Sequence, residues 1–267
     1  MGPAVPYTLA VAPREGWQGW DDYAPFYDWE NARTLGRRDV AFWRATLRRE
    51  AARTLELGCG TGRLLIPMAR TGVPIVGIDR SLPMLARAVQ RGKRLPRAGR
   101  PAILRGDIRS LPFRARSFGV VMAPYGLLQS LLREADLAAT LAEVARVLRK
   151  GGLLGIDLVP DLPAWAEYDR RVSLRGQSSR GGRVTLIESV RQDRRRRLTI
   201  FDEEFVERRG RVTTRHTFSL TFRSLTLPEI VARVEDAGFR IASTAGDYRG
   251  GPWSAEAGVW IINARKR

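Results

Sequence analysis

Within eight residues, Leu55-Glu56-Leu57-Gly58-Cys59-Gly60-Thr61-Gly62, the chain passes from an apolar run to three glycines on alternate positions. This pattern suits the point where a buried strand turns into a helix, because glycine admits left-handed backbone and lets the chain pass close to a ligand. It therefore asks for an interior strand with a helix directly after it. The spacing also excludes one kind of site. A dinucleotide fingerprint is G-x-G-x-x-G, and here the last glycine falls one place early, with Arg63 at the sixth position.

The surroundings agree with an interior strand. From residue 52 to 158 short apolar runs alternate with helical periodicity, the pattern of a parallel sheet covered by helices. The predicted strands are Thr54–Leu57, 74–79, Ala102–Arg105, 119–122 and 153–158. Leu137, Leu141, Val144 and Leu148 recur at helical spacing, and Lys150-Gly151-Gly152 reads as the end of that helix. After Pro160 three runs rich in Thr, Val and Phe, 183–191, 198–208 and Val212–Arg223, predict an antiparallel ribbon. Thr226-Leu227-Pro228-Glu229 starts a helix with a capping box, Ile230, Val231 and Val234 form its buried side, and Gly238 stops it. Runs 240–243 and 258–264 close the sheet. No internal repeat is visible, and no long disordered stretch is expected beyond roughly the first 15 residues.

Composition narrows the function classes. At 267 residues the chain suits one core with an embellishment, so a single domain is expected over 1–267: a core at about 20–159 and 226–267, and an inserted lid at about 160–225. No apolar run approaches the length of a membrane helix. The N-terminus has a short apolar stretch without the basic start of a secretory signal, so the expectation is a soluble, cytoplasmic chain with no membrane partner. Cys59 is the single cysteine and His216 the single histidine. An intramolecular disulfide and a cysteine metal cage are thereby excluded, and no metal is expected. The net charge of +18 raises nucleic acid as a partner, but the excess is diffuse: residues 160–225 hold 15 Arg against 9 acids. Nucleic acid is the less favoured partner, and Arg194 to Arg197 read as a solvated hairpin turn.

The E-x-G-x-G-x-G form of the glycine run is similar to motif I of class I S-adenosylmethionine-dependent methyltransferases. That resemblance implies an α/β, Rossmann-like methyltransferase fold: a mostly parallel seven-stranded sheet with helices on both faces, plus a small antiparallel β lid. It implies S-adenosyl-L-methionine as cofactor. Glu56 would orient the amino group, while Gly58, Cys59, Gly60 and Gly62 line the amino-acid end. Asp79, closing the second strand about 20 residues past the glycines, would accept the ribose hydroxyls beside Arg80. Asp107 in Gly106-Asp107-Ile108 resembles the adenine contact, with Met84 and Ile108 as apolar walls; Met84 reads equally as a core residue.

Residues 122–129, Met-Ala-Pro-Tyr-Gly-Leu-Leu-Gln, follow the fourth strand, where the transferable methyl would lie, with Ala123 at the cofactor's edge. Base-methylating enzymes carry (Asp/Asn/Ser)-Pro-Pro-(Tyr/Phe) there, and Ala123-Pro124-Tyr125 lacks the leading polar residue. Leu148-Arg149-Lys150-Gly151-Gly152 resembles the family's L-x-P-G-G turn, with Lys150 in place of proline. The segment 22–29, Asp-Tyr-Ala-Pro-Phe-Tyr-Asp-Trp, resembles the lead of the small-molecule methyltransferase subgroup, in which a tyrosine closes over the cofactor carboxylate. Tyr27 is that tyrosine, or else a helix aromatic packed on the domain. Phe239 and Gly246-Asp247-Tyr248 resemble a further subgroup that includes small-molecule enzymes.

The implied activity is in-line methyl transfer to nitrogen or oxygen of a small-molecule acceptor, for which alignment can supply roughly 7–11 kcal/mol without a catalytic side chain. Tyr125 and Gln129 are expected to touch the acceptor. In the run Val212–Arg223, His216 shares a face with Phe218, Leu220 and Phe222; it reads as a general base if that face covers the acceptor, and as a hydrogen-bonded core histidine if it does not. Glu188, on the apolar face with Val184, Leu186 and Val190, binds a cationic or hydroxyl-bearing substrate or pairs with one of the many arginines. Two alternatives stand beside this reading: an RNA or DNA methyltransferase using the basic surface, and a non-catalytic cofactor-binding regulatory protein.

Overall fold

A computed structural model describes residues 19–34, 38–160, 162–178 and 181–267. The N-terminal apolar stretch lies outside the described residues. Helices α1 (Trp20–Asn31) and α2 (Arg38–Glu50) precede an alternation of β1 (Thr54–Leu57), α3 (Leu65–Ala69), β2 (Ile75–Asp79), α4 (Leu82–Gly92), β3 (Ala102–Arg105), β4 (Phe118–Ala123), α5 (Glu134–Val147) and β5 (Leu148–Leu158). These five strands, with β10 (Phe239–Ala245) and β11 (Trp260–Lys266), form a seven-stranded sheet in the order β10-β11-β5-β4-β1-β2-β3. Among the described strands of this sheet β11 points opposite to the rest, pairing antiparallel with both β5 and β10, while the other pairs are parallel. The sheet is the α/β, mostly parallel arrangement expected.

Burial explains the strand types. β1 and β4 are buried along their whole length, as fits strands covered on both faces. One core packs α5 and helix α6 (Leu227–Asp236) on one side of the sheet, and a second packs α2 and α3 on the other. Order reverses between β1 and β4, so the carboxyl ends of these strands open a crevice in which ligands of such sheets bind. Among the described residues no helix is long and apolar enough to cross a membrane.

Local rules hold in some places and fail in others. The Thr226 capping box forms as expected, and Gly238 takes φ 92° beyond α6, whose buried side is Ile230 and Val234 with Val231 half-buried. The helix before β5 ends earlier than Lys150-Gly151-Gly152. Leu148 is already extended and pairs with Phe118, while Gly151, at φ 71°, sits within an irregular stretch of β5.

The second sheet has four antiparallel strands in sequential order: β6 (Tyr168–Gln177), β7 (Arg183–Asp193), β8 (Leu198–Arg209) and β9 (Val212–Arg223). Three were expected. β6 is an edge strand with hardly any buried position, so its sequence carries no apolar alternation. The apolar face of this lid, with Leu186, Phe201, Phe205 and Phe218, packs on Tyr23 and Phe26 of α1. The Phe26 and Phe205 rings stack with centroids 4.2 Å apart. The opposite face turns Ile200, Asp202, Ser219 and Thr221 toward the crevice. This corrects the expected placement of His216. Its face covers α1, and the histidine is exposed beside Phe26, 5.1 Å between ring centroids, away from the crevice.

The α1–lid contact also encloses acids. Glu188 and Glu203 are direct cross-strand partners on the same face, and both lie within the influence of Glu30 of α1. Glu188 accepts from the hydroxyls of Tyr168 and Ser173, and Glu30 accepts from the Tyr23 hydroxyl at 2.9 Å. Glu203 is 5% exposed and its Oε2 finds no hydrogen-bond partner among the described residues. Burial, with Glu188 adding to it, pushes Glu30 up to about 7, and burial followed by the two neighbouring acids raises Glu203 well above the carboxylate range. The sign follows. A carboxyl whose folded value is raised contributes stability below its unfolded value near 4.5, and that contribution is lost as the pH climbs through the folded value. The α1–lid contact is therefore expected to weaken between pH 5 and 8. Glu203→Gln keeps the shape without the ionisation and should gain about 1–3 kcal/mol at pH 8 relative to pH 5. Thermal unfolding of both proteins at the two pH values checks this, and an equal difference at both would refute it.

Candidate active site

The crevice at the carboxyl ends of β1 and β4 opens into a cleft of about 990 Å³ running from the glycine turn to the inner face of the lid. Its floor is made by the turn after β1. Gly58 and Gly60 take φ 58° and 50°, values costly for other residues. A Cβ on Gly58 would stand 2.5 Å from Leu127, so that glycine makes room for the post-β4 loop, whereas Gly60 has open space beside it. Gly62 and Ala123 do not line the cleft. The Gly62 amide is spent on the Cys59 carbonyl at 2.9 Å, and Ala123 is enclosed in the core at the end of β4.

Two carboxylates meet the turn. Glu56 is 2% exposed at the cleft floor, and its Oε2 finds no hydrogen-bond partner among the described residues. Burial raises it well above the carboxylate range, with Arg63 opposing. Asp79 accepts from the Gly60 amide at 2.8 Å and from the Ser81 amide at 2.8 Å, one bond on each oxygen. It ties the β1 turn to the start of α4, and each oxygen keeps a second lone pair for a ligand hydroxyl. Ser81 itself caps α4 through the Met84 amide at 3.3 Å. Cys59 and Arg80 also line the cleft, and burial pushes the Cys59 thiol up.

Farther along the wall stand Met84, Asp107 and Ile108. Asp107 is held by Arg109, which reaches both of its oxygens at 2.8–3.1 Å and also pairs with Asp136 at 2.9 Å. Arg109 keeps the Asp107 carboxyl below its usual range. Met84 does double service, since its buried side chain belongs to the cluster under α1 as well as to the wall.

At the other end Tyr27, Arg63 and Tyr125 converge. Arg63 makes a two-pronged pair with the fully buried Asp39 of α2, at 2.9 and 2.6 Å. The Arg63 guanidinium carbon stands 5.2 Å from the Tyr125 ring centroid. Burial raises the Tyr27 hydroxyl and Arg63 beside it opposes the rise; burial, reinforced by Tyr27, raises Tyr125 too. Both phenols therefore stay protonated at neutral pH. Beyond them the lid and the 127–133 loop present Leu127, Leu131, Leu198, Ile200 and Phe222, with Arg133, Arg191 and Arg196 around them. Arg191 is paired with Asp202 at 2.7 Å. Arg197, next to Arg196 in the β7–β8 turn, is tied to Glu229 instead.

Three residues expected at the acceptor are placed elsewhere. Gln129 is 1% exposed and both ends of its amide are used by Val159, whose carbonyl and amide lie 2.9 and 2.8 Å away. It braces the post-β4 loop against the chain leaving β5. Glu188 is enclosed between the lid and α1, where it accepts from the hydroxyls of Tyr168 and Ser173, and His216 is outside the cleft. Arg63, Arg109 and Asp136 were missed. Arg63 follows the glycine run directly, and that adjacency was the available signal; Asp136, 27 residues from its partner, gave none.

The family described as a methyltransferase domain matches residues 54–152. The demethylmenaquinone methyltransferase of Renibacterium salmoninarum is 33% identical over 201 residues, covering 69% of this chain and 79% of that one. That of Corynebacterium kroppenstedtii is 31% identical over 153 residues, and the chain spans 62% of its length. Among solved structures, the CcbJ methyltransferase from Streptomyces caelestis superposes with a TM-score of 0.78 at 19% identity, over 92% of this chain and 97% of that one. The CalS10 amino pentose methyltransferase from Micromonospora echinaspora, solved with bound S-adenosylmethionine, gives 0.67 at 22% identity, over 90% and 96%. A glycine turn braced by Asp79, an unsatisfied Glu56 oxygen on its floor and this shared sequence and fold lead to one conclusion: the chain belongs to the class I S-adenosylmethionine-dependent methyltransferases.

Proposed function

We propose that the chain transfers a methyl group from S-adenosylmethionine to nitrogen or oxygen of a small molecule held under the lid. The observation that carries this reading is the orphaned Oε2 of Glu56, a buried acceptor at the floor of a cleft that continues to the lid. An unpaired buried carboxylate oxygen is costly, and an ammonium group brought by a ligand satisfies it. When bound, S-adenosylmethionine supplies an electrophilic methyl on a sulfonium, open to in-line displacement. Glu56 would hold its amino group, Arg63 its carboxylate, and Asp79 its ribose, with Met84 and Ile108 against the adenine.

The rest of the cleft supports transfer by alignment. Tyr27 and Tyr125 keep their protons and His216 is outside, so neither the phenols nor the histidine takes the acceptor's proton. Catalysis then rests on orientation and exclusion of water. The apolar side chains of the lid and loop suit an acceptor with an apolar body. Relatives of this fold include a sugar N-methyltransferase and an amino pentose methyltransferase, which makes amines the first acceptors to test. Carbon is the second reading, favoured by the demethylmenaquinone relatives.

Titration calorimetry should show the wild type binding S-adenosylmethionine. Glu56→Gln and Asp79→Ala should each weaken it about 10- to 100-fold, the loss of a charge-assisted bond and, for Asp79, of the turn it braces. A wild type that does not bind would end this reading. With an acceptor found by product release from an amine and hydroxyl library, His216→Ala should leave turnover within about twofold. A large loss would return the histidine to the chemistry.

A further inference from the structure

Tyr125 stands at the cleft in a conformation its own sequence does not favour. It takes φ 58° and Gly126 after it takes φ 63°, so two successive residues are left-handed, the first with a side chain. Something must hold that turn, and the structure has a buried carboxylate in place. Asp157, 1% exposed near the end of β5, accepts on Oδ1 from the Tyr125 amide and, at 3.3 Å, from the Gly126 amide, whose nearer acceptor is the Asp157 main-chain carbonyl at 3.1 Å. Its Oδ2 accepts from the Tyr248 hydroxyl at 3.1 Å. Tyr248 comes from the loop between β10 and β11, which is itself built: Asp247 takes the amides of Arg249 and Gly251 at 2.7 and 2.8 Å, and the Tyr248 ring packs on Phe42 of α2 at 5.9 Å.

We propose that Asp157 and Tyr248 are positioning residues that pin the 125–126 turn and thereby set where the Tyr125 ring stands between Arg63 and the acceptor. This rests on the methyltransferase reading for its consequence, while the pin itself does not. Neither residue lines the cleft, so each acts through Tyr125. The groups facing Asp157 are Tyr248 from the β10–β11 loop, the Tyr125 amide after β4, Asp39 of α2 and Arg63 beside the glycine turn. Burial and then Asp39 raise the Asp157 carboxyl, Tyr248, the Tyr125 amide and Arg63 lower it, and the balance stands at about 6. When the turn is released Asp157 stays buried but loses the Tyr125 amide bond that lowers its value, so the released state keeps its proton to higher pH and the pin tightens as the pH rises above about 6. Removing the Tyr248 hydroxyl takes away a bond to the charged form and moves that transition upward.

The test is amide hydrogen exchange over residues 124–127 of the full chain, corrected for intrinsic rates, between pH 5 and 8. Wild type, Tyr248→Phe and Asp157→Asn are compared with S-adenosylmethionine affinity read in parallel. Wild-type protection should rise through about pH 6; Tyr248→Phe should lower it about tenfold at pH 6.5 and shift its midpoint up by about 0.5–1 unit; Asp157→Asn should abolish the pH dependence. Cofactor affinity should change by less than about threefold, and kcat should fall more than KM rises with any acceptor in hand. Protection that is pH-independent in the wild type, or unmoved in Tyr248→Phe, overturns the pin. Failure of the wild type to bind cofactor would overturn the methyltransferase reading and leave the exchange result standing.

Discussion

The carboxylate of Asp79 is the tie on which the cleft depends. β1 and β2 are neighbours in a buried parallel sheet, but the turn after β1 has left-handed residues and no ladder to hold it. Asp79 supplies the missing acceptor, taking the Gly60 amide from one strand's exit and the Ser81 amide from its own. Bonds from amides to a carboxylate are stronger than bonds between neutral groups, and burial keeps water from competing for them. Because Ser81 in turn caps α4, the same carboxylate fixes where Met84 points. The floor and one wall of the cleft are thus set from a single side chain.

The opposite wall follows a different logic. α1 is clamped between α4 and the lid by aromatic packing, and Tyr27 reaches the cleft because Tyr23 and Phe26 are committed to the lid. The cost of that clamp is the set of acids it encloses. Burial penalises the ionisation of Glu30 and Glu203, so the contact is most secure when these two carry protons. At Arg63 the arrangement is reversed. Asp39 pairs with it on both prongs, and the guanidinium stays charged beside Tyr27 and Tyr125.

Legibility in the sequence tracked how local each interaction is. Glu56, the glycines and Asp79 lie within 24 residues on two consecutive strands, and their spacing was enough to bring them to one edge. The alternation in Val212–Arg223 correctly divided that strand into two faces. It could not say which face covers the acceptor, because that depends on where α1 docks, and so it left His216 open between a general base and a core histidine, whereas the residue is exposed beside Phe26. Gln129 sits in a loop predicted to touch the acceptor, but an amide that can both donate and accept satisfies the Val159 backbone 30 residues on. β6 had no apolar period to read, being exposed at an edge. The Asp157–Tyr248 contact joins residues 91 positions apart, which no spacing rule reaches.

The groups that line the cleft also say what kind of catalyst it can be. A general base is useful when its proton affinity lies near the working pH. Here the two phenols are displaced upward, Glu56 is raised and turned to the floor, and Asp157, raised to about 6, is buried behind Tyr125 with its oxygens engaged. The Asp157 carboxyl stands one layer back from the reacting space. In that layer a proton does not pass to the acceptor; it changes how firmly a strained turn is held. A reaction that proceeds by alignment feels such a change directly, since a displacement of the Tyr125 ring alters the geometry of approach. The pH response of the cleft is then a response of its shape, carried by a carboxylate that the acceptor does not touch.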